Sequence, residues 1–256
     1  MEILYVQFRV IVALILRIIR TRFFGHGLGF LVSIGWPLAH ILILLGIHAL
    51  ADRAAPYGTS LVVVFSSALV PYMTFSYMAR FIMITVIHNR SLLVFPAVKI
   101  TDLIYAGAIV EALSACCMVI VLGLVLAVFG IDFMPQDPVQ AAFAFGASIL
   151  LGLGIGFLNA VVAMVTPLWV TGFALANIVL YLISGIFFVP EALPQKAQYL
   201  LSFNPVLQVT EWMRSAYYQG YGSLLDKPYA IGAGVLSLAV GLIAERMFRG
   251  RLLVAT

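Results

Sequence analysis

Long apolar segments follow one another along almost the whole of this chain. Of its 256 residues, 64% are hydrophobic and only 9% are charged, whereas a soluble domain averages about 25% charged residues. A helix needs about 20 apolar residues to cross the hydrocarbon core of a bilayer, which is about 30 Å thick. The sequence therefore predicts a single all-α integral membrane domain that covers residues 1–256.

Six segments are long and apolar enough to be transmembrane helices. They cover about residues 28–50, 59–87, 100–129, 139–165, 168–188 and 229–248. Residues 3–22 differ, because Arg9, Arg17 and Arg20 interrupt their apolar runs at helical spacing. This pattern predicts an amphipathic helix that lies in the membrane plane with its arginines towards the headgroups. A frayed, adhesive tail is the alternative interpretation.

The basic residues predict the orientation of these segments. If both termini are cytoplasmic, 10 of the 14 lysines and arginines lie on the inner side. The outer side then holds six of the ten acidic residues and only Arg53, Lys196, Arg214 and Lys227. Positive charge favours the cytoplasmic side. We therefore expect a multi-pass protein with both termini and the loop 88–99 in the cytoplasm.

Residues 184–222, between the last two predicted spans, are too polar to cross a bilayer and too apolar for a solvated loop. Two short helices are predicted here, at about residues 191–203 and 206–218. Pro205 separates them, because proline fixes its own φ, donates no N–H and restricts the preceding Asn204. Such short helices cannot span the hydrocarbon, so we expect a re-entrant or interfacial helix pair on the outer side. Glu211 and Arg214 are three residues apart, a spacing that permits a local ion pair.

Several kinds of chemistry find no support in the sequence. It contains no G-x-x-x-x-G-K-[ST] phosphate loop, no Ser/His/Asp arrangement and no histidine pair with metal-ligand spacing. We therefore expect no catalytic residue, no metal site and no bound cofactor. Most basic residues flank apolar segments, where the inner leaflet attracts them, so no nucleic-acid partner is expected. Gly152 and Gly156 form a GxxxG pattern that predicts close helix packing.

A few residues within or beside the predicted spans are candidates for a substrate path. Glu111 is the one acidic residue deep inside a span, where charge is costly. It either lines the path or joins a gating ion pair, or it is a structural tie or a protonated carboxyl group. Tyr72, Phe75, Tyr217 and Tyr218 could stack on sugar rings, although aromatic belts at the membrane interface explain most such residues.

Residues 184–218 resemble the last extracellular region of type-2 ABC exporter permeases, specifically those that export capsular polysaccharide or O-antigen. The matching features occur in the order Ser184-Gly185, Phe187-Phe188, Pro190 to Pro194, Asn204-Pro205, Glu211-Trp212 and Arg214 to Tyr218. The basic helix followed by TRFFGHGLGFL, the pair Trp36-Pro37 and the pair Asn89-Arg90 also resemble that family. The resemblance covers nearly the whole chain.

The resemblance implies a permease subunit in the bacterial inner membrane that moves a polysaccharide outward. The glycan would be lipid-linked or released at the inner leaflet. The family works as a homodimer with two cytoplasmic ATPase subunits, which would bind ATP and Mg²⁺; this chain would not itself be an enzyme. Coupling to the ATPase is expected at Asn89, Arg90, Ser91, Leu92, Arg17 and Arg20. A gate at the exit is expected to contain Pro190, Glu191, Asn204, Pro205, Glu211, Trp212 and Arg214.

Two other functions fit the sequence. The first is a type-2 ABC permease for another cargo, such as a drug, a lipid or teichoic acid. The second is a stand-alone secondary transporter or a membrane enzyme. A protein of this second kind should work without an ATPase and should contain more buried ionisable groups than Glu111 alone.

Overall fold

The computed structural model describes residues 2–21, 29–50, 56–58, 60–221 and 224–254. These residues form nine α-helices and two short 3₁₀ helices, and they contain no strand. The α-helices are α1 (Glu2–Thr21), α2 (Gly29–Leu50), α3 (Leu61–His88), α4 (Ile100–Val128), α5 (Pro138–Val165), α6 (Trp169–Ile183), α7 (Gln195–Ser202), α8 (Pro205–Tyr217) and α9 (Lys227–Val254). Some predicted features lie outside the described residues. They are the segment boundaries at residues 28, 59 and 222, and residues 22–28 of the TRFFGHGLGFL motif.

Among the helices of the described residues, five are long and apolar enough to cross a membrane: α2, α3, α4, α5 and α9. The all-helical membrane class is therefore confirmed. The helix α6 is also apolar but has only 15 residues, or about 22 Å at 1.5 Å per residue. The predicted fifth span continued to residue 188, but the helix ends at Ile183 because Gly185 has a φ of 72°. That backbone conformation is left-handed and ends a right-handed helix.

The helix α3 lies at the centre of the bundle. Its sequence is apolar on all sides, a pattern typical of a buried helix, and most of its side chains are buried. It contacts α2, α4, α5, α6 and α8. It therefore borders the groove beside α6, the helix α8 and the 3₁₀ helix of the loop 88–99.

The helix α5 packs closely on both sides through alternating glycines. A Cβ atom at Gly152 would lie 2.9 Å from the Met78 Cβ atom in α3, and one at Gly154 would lie 2.7 Å from the Gly234 carbonyl oxygen in α9. Gly156 faces α3 again, beside Ile82. These glycines serve helix packing, as the GxxxG pattern predicts.

The helix α1 has three distinct faces. Its buried face, with Leu14 and Ile18, packs with residues of α3 and α4. A second face is apolar and exposed, and it consists of Tyr5, Phe8, Val12 and Leu16. The third face is polar, and its arginines Arg9, Arg17 and Arg20 are exposed. This arrangement suits a helix that touches protein, lipid and water at once.

Candidate functional site

An open groove of about 710 Å³ lies between α2, α3 and α6. Aromatic rings form much of its wall: Trp36, Tyr72, Tyr77, Phe81 and Tyr181. Trp36 is 68% exposed although it belongs to a candidate span. Together these rings give the groove flat apolar surfaces along most of its length.

Polar groups are interspersed among these rings. Tyr72 donates its hydroxyl to the Asn177 carbonyl oxygen at 2.8 Å, and Asn177 Nδ2 donates to Ser76 Oγ at 2.7 Å. These bonds join α3 to α6 in the wall of the groove. His40 Nε2 lies 3.2 Å from the Tyr181 hydroxyl oxygen. The groove therefore offers hydrogen-bonding groups beside apolar ring faces, a combination that suits sugars.

A cationic side chain also lines the groove. Arg80, in the half of α3 nearer the loop 88–99, is exposed and belongs to the groove lining. A charge within a membrane-spanning segment is costly unless it faces a wet cavity, protein or a counter-charge. The sequence analysis did not assign Arg80, His40 or Asn177 to the substrate path, although Arg80 stands about seven residues from the end of an apolar segment.

The other candidate path residues do not line the groove, although the Phe75 ring lies edge-on to Tyr72 at 6.4 Å. Phe75 is 1% exposed and packs in the core behind the groove. Glu111, 5% exposed, lies in a narrow slot between α2, α3 and α4. Tyr217 lines a different cavity of about 650 Å³ between α3, α4, α5 and α8, and Tyr218 lies against the loop that contains Gly58.

The stretch 190–221 forms two helices, α7 and α8, after a 3₁₀ turn at Pro190–Ala192. The first helix begins at Gln195, four residues later than expected, because the turn occupies the start of the predicted segment. Asn204 accepts a hydrogen bond from the Val206 N–H at 3.0 Å and so caps α8, with Pro205 at its first position. The chain therefore changes direction at Asn204-Pro205, as the sequence indicates.

A buried ion pair lies at the centre of this stretch. Arg214 Nη1 donates to Glu211 Oε1 at 2.8 Å, and both side chains are 1% exposed. The Tyr221 hydroxyl donates to the same carboxylate oxygen at 2.9 Å. Burial raises the pKa of Glu211, and the nearby Arg214 charge opposes that rise. The predicted ion pair is present, but in the interior instead of on the surface.

Side chains of α8 also hold the non-helical backbone that follows α6. Arg214 Nη2 donates to the Gly185 carbonyl oxygen at 2.7 Å, and Thr210 donates to the Ser184 carbonyl oxygen at 2.7 Å. Asn204 Nδ2 donates to the Ile183 carbonyl oxygen at 3.2 Å. Three successive carbonyl groups are thereby satisfied by side chains from one neighbouring helix.

Two loops complete this region. Tyr57 donates its hydroxyl to Glu191 Oε2 at 2.5 Å, and its ring lies edge-on to Tyr221 at 4.9 Å. The hydrogen bond to Glu191 raises the pKa of Tyr57, with a smaller contribution from burial. Trp212 donates to Gln140 Oε1 at 2.9 Å and so fixes α8 to α5. The turn before α7 is thus tied to the loop before α3, and α8 is tied to α5.

The loop 88–99 forms a 3₁₀ helix, Arg90–Val94, between α3 and α4. Asn89 is buried and donates to the Thr85 carbonyl oxygen at 2.9 Å at the end of α3. Ser91 is exposed and Leu92 is half-buried. The most exposed apolar side chains are Val94 (78%) and Phe95 (60%), and the sequence analysis did not single them out. Among the described residues, no group of three or more potential ligands could hold a metal ion.

Comparison with known proteins identifies the family. No family model matches the chain. The polysialic acid transport protein KpsM of Escherichia coli is 32% identical over 235 residues, which cover 91% of each chain. The chain belongs to the capsule polysaccharide export permeases of the type-2 ABC exporter class.

The capsule polysaccharide export inner-membrane protein CtrC of Neisseria meningitidis is 28% identical over 251 residues, which cover 96% of this chain and 94% of CtrC. BexB of Haemophilus influenzae, which carries the same description, is 26% identical over 250 residues, 96% of this chain and 93% of BexB.

This capsule export permease is therefore a multi-pass inner-membrane transport protein, as the resemblance implies. Three of its predicted site features lie apart from one another in the bundle. Arg90 and its neighbours lie at the predicted cytoplasmic end, Tyr72 lies in the groove, and the Glu211–Arg214 pair lies at the opposite end. The family resemblance indicated Arg90 and the Glu211–Arg214 pair, whereas the groove required the packing of α2 against α6.

Proposed function

We propose that this chain is the membrane subunit through which a capsular polysaccharide, lipid-linked or released at the inner leaflet, crosses the inner membrane. The observation that carries the proposal is the groove between α2, α3 and α6, where Trp36, Tyr72 and Tyr181 alternate with polar groups. A glycan presents apolar ring faces and hydroxyl groups together, and this lining suits both. The near-full-length similarity to KpsM, CtrC and BexB supports the choice of cargo.

The groove opens beside an apolar face that no described helix covers. On α6, the residues Leu175, Ile178, Val179 and Leu182 are each more than half exposed. Helices meet in membranes through complementary packing, and a second copy of the chain would bring two such grooves together. We therefore propose a homodimer with the glycan path between the two subunits.

ATP hydrolysis occurs in two separate cytoplasmic subunits, which also bind the Mg²⁺. The surface that meets them contains the 3₁₀ helix Arg90–Val94 and the basic face of α1. Val94 and Phe95 supply exposed apolar contacts, and Arg17 and Arg20 supply charge. Closure of the ATPase subunits moves this surface together with the adjoining ends of α3 and α4.

The residues from Pro190 to Tyr221 form the gate at the outer exit. The six-span arrangement requires residues 169–189 to cross the membrane, first as the helix α6 and then as irregular backbone. Non-helical backbone at membrane depth is tolerated where protein covers it, and α8 covers the Ile183, Ser184 and Gly185 carbonyl groups. Both termini are then cytoplasmic, in agreement with the distribution of basic residues.

Transport in reconstituted vesicles tests this proposal. The permease is purified with its ATPase subunit, and ATP-driven movement of the fluorescently labelled capsular glycan from the source bacterium is measured. Arg90→Glu should abolish movement while the complex stays assembled. Trp36→Ala should slow movement, whereas Leu31→Ala, an equally exposed position outside the groove, should not. ATP turnover without movement of the glycan would overturn the cargo assignment.

A further inference from the structure

One carboxylate joins the loop 88–99, α4 and α1. Asp102 lies in the first turn of α4 and is only 3% exposed. Its Oδ2 atom accepts a hydrogen bond from the Lys99 N–H at 2.8 Å and another from Gln7 Nε2 in α1. Because an ionised carboxylate only accepts hydrogen bonds, the amide NH₂ group of Gln7 must face it.

The position of Asp102 in the first turn of α4 gives its side chain a structural role. A carboxylate in the first turn is stabilised by the N-terminal end of a helix, and a side chain at this position that accepts from the residue before the helix fixes the entry of the chain. Lys99 is also the last residue of the loop 88–99. The hydrogen bonds of Asp102 therefore hold the end of that loop and α1 at a single point.

Apolar packing continues the same contact. Leu14 and Ile18 occupy the face of α1 that includes Gln7, since seven residues are about two helical turns. They belong to the same buried cluster as Leu93 of the 3₁₀ helix and Leu103 of α4. The helix α1 is thus attached to the loop and to α4 by a polar contact at one end and by apolar side chains further along.

We propose that Asp102 is a positioning residue for energy coupling, acting through the contact with Gln7, which we term the Gln7–Asp102 clamp. This inference rests on the proposed function. The clamp makes α1 move as one body with the loop 88–99 and α4 when the ATPase subunits close. Without it, the loop moves but α1 lags behind, and less of each ATP-driven movement reaches the membrane helices.

Three variants of α1 separate the clamp from a general effect of charge. Gln7→Glu places two carboxylates together, and it should lower the glycan moved per ATP hydrolysed by about tenfold, within the usual range for coupling between sites. Gln7→Lys supplies a new donor to Asp102 and should retain most of the transport per ATP. Ala13→Glu adds the same charge between Arg9 and Arg17 on the basic face of α1, so it measures the loss that an added acid causes through that face alone, and Gln7→Glu should lose more. If Gln7→Lys fails as Gln7→Glu does, or if Gln7→Glu transports normally, the clamp is wrong.

A distance measurement tests whether α1 and α4 move together, even if one of the Gln7 variants does not fold. Spin labels at Ala13→Cys in α1 and Ile109→Cys in α4 are introduced after Cys116→Ser and Cys117→Ser, and the distance is measured in the assembled complex with and without ATP. The clamp predicts the same distance in both states. A change of several ångströms would overturn it. Because this readout needs no glycan, a wrong cargo assignment and a wrong clamp give different results.

Discussion

Replacement of Arg214 by methionine should destabilise the protein more than replacement of both members of its ion pair. Arg214→Met removes the hydrogen bonds to Glu211 Oε1 and to the Gly185 carbonyl oxygen, both in the interior. A buried charge left without its partner costs about 3–5 kcal/mol. The single variant should therefore lose about that much free energy of unfolding.

The double variant Arg214→Met/Glu211→Gln removes the isolated charge. The Gly185 carbonyl group then lacks its donor, at a cost of about 1–3 kcal/mol. The Tyr221 hydroxyl group also loses its hydrogen bond from Arg214, but it still has an acceptor at residue 211. Glu211 Oε2 and Arg214 Nε have no hydrogen-bond partner among the described residues, so the native pair is itself incompletely satisfied. Denaturant unfolding in detergent, followed by tryptophan fluorescence, should show the double variant to be about 2 kcal/mol more stable than the single one.

The pH dependence provides a second check on the same pair. Burial raises the pKa of Glu211 above its ordinary value of 4.5, and Arg214 lowers it, so Arg214→Met should raise that pKa further. A carboxyl group with a raised folded-state pKa stabilises the fold below its ordinary pKa, and this stabilisation is lost as pH rises through the folded-state value. Arg214→Met should thus be more stable at about pH 5 than at about pH 8, with a larger difference than in the double variant. Equal stability of the two variants, or a single variant insensitive to pH, would refute the reasoning.

Three further substitutions test the packing around the sites. Gly154→Ala should cost about 1–3 kcal/mol by overpacking α5 against α9, whereas Gly146→Ala, with no atom within 4 Å of the added Cβ, should cost little in the same unfolding assay. Tyr72→Phe should cost about 1 kcal/mol, because the hydrogen bond to Asn177 is lost, and hydrogen exchange in α6 should increase. Gly185→Ala should destabilise the protein by about 1–2 kcal/mol from its left-handed backbone alone, and a normal melting temperature would contradict this.

Much of the helical framework could be predicted from hydropathy, because a bilayer requires long apolar helices whatever their tertiary packing. The break at Asn204-Pro205 was equally predictable, since proline acts through its own covalent geometry. The early end of α6 could not be predicted from the sequence, because it depends on the positive φ of Gly185, which packs beneath Leu207. A glycine in an apolar segment does not by itself indicate which conformation it will adopt.

The candidate sites also divide into those that local sequence indicates and those that depend on helix packing. Arg90 and Glu211 were identified because their sequence neighbours resemble a family motif, and that information is local. The groove was not identified, because Trp36, Tyr72 and Tyr181 come from three helices whose relative rotation the sequence does not state. Asp102 was visible as an acid near the start of a span, but its contact with Gln7 joins residues 95 positions apart.

The carbonyl groups at residues 183–185 have a consequence for biogenesis. Their donors, Asn204, Thr210 and Arg214, are synthesised about 20 to 30 residues later. Until α8 emerges from the ribosome and docks, these carbonyl groups have neither a helix nor a side chain to satisfy them. The end of α6 is therefore held in its final place only after α8 has been made, so a released chain truncated before Asn204 should remain open to proteolysis at residues 184–189.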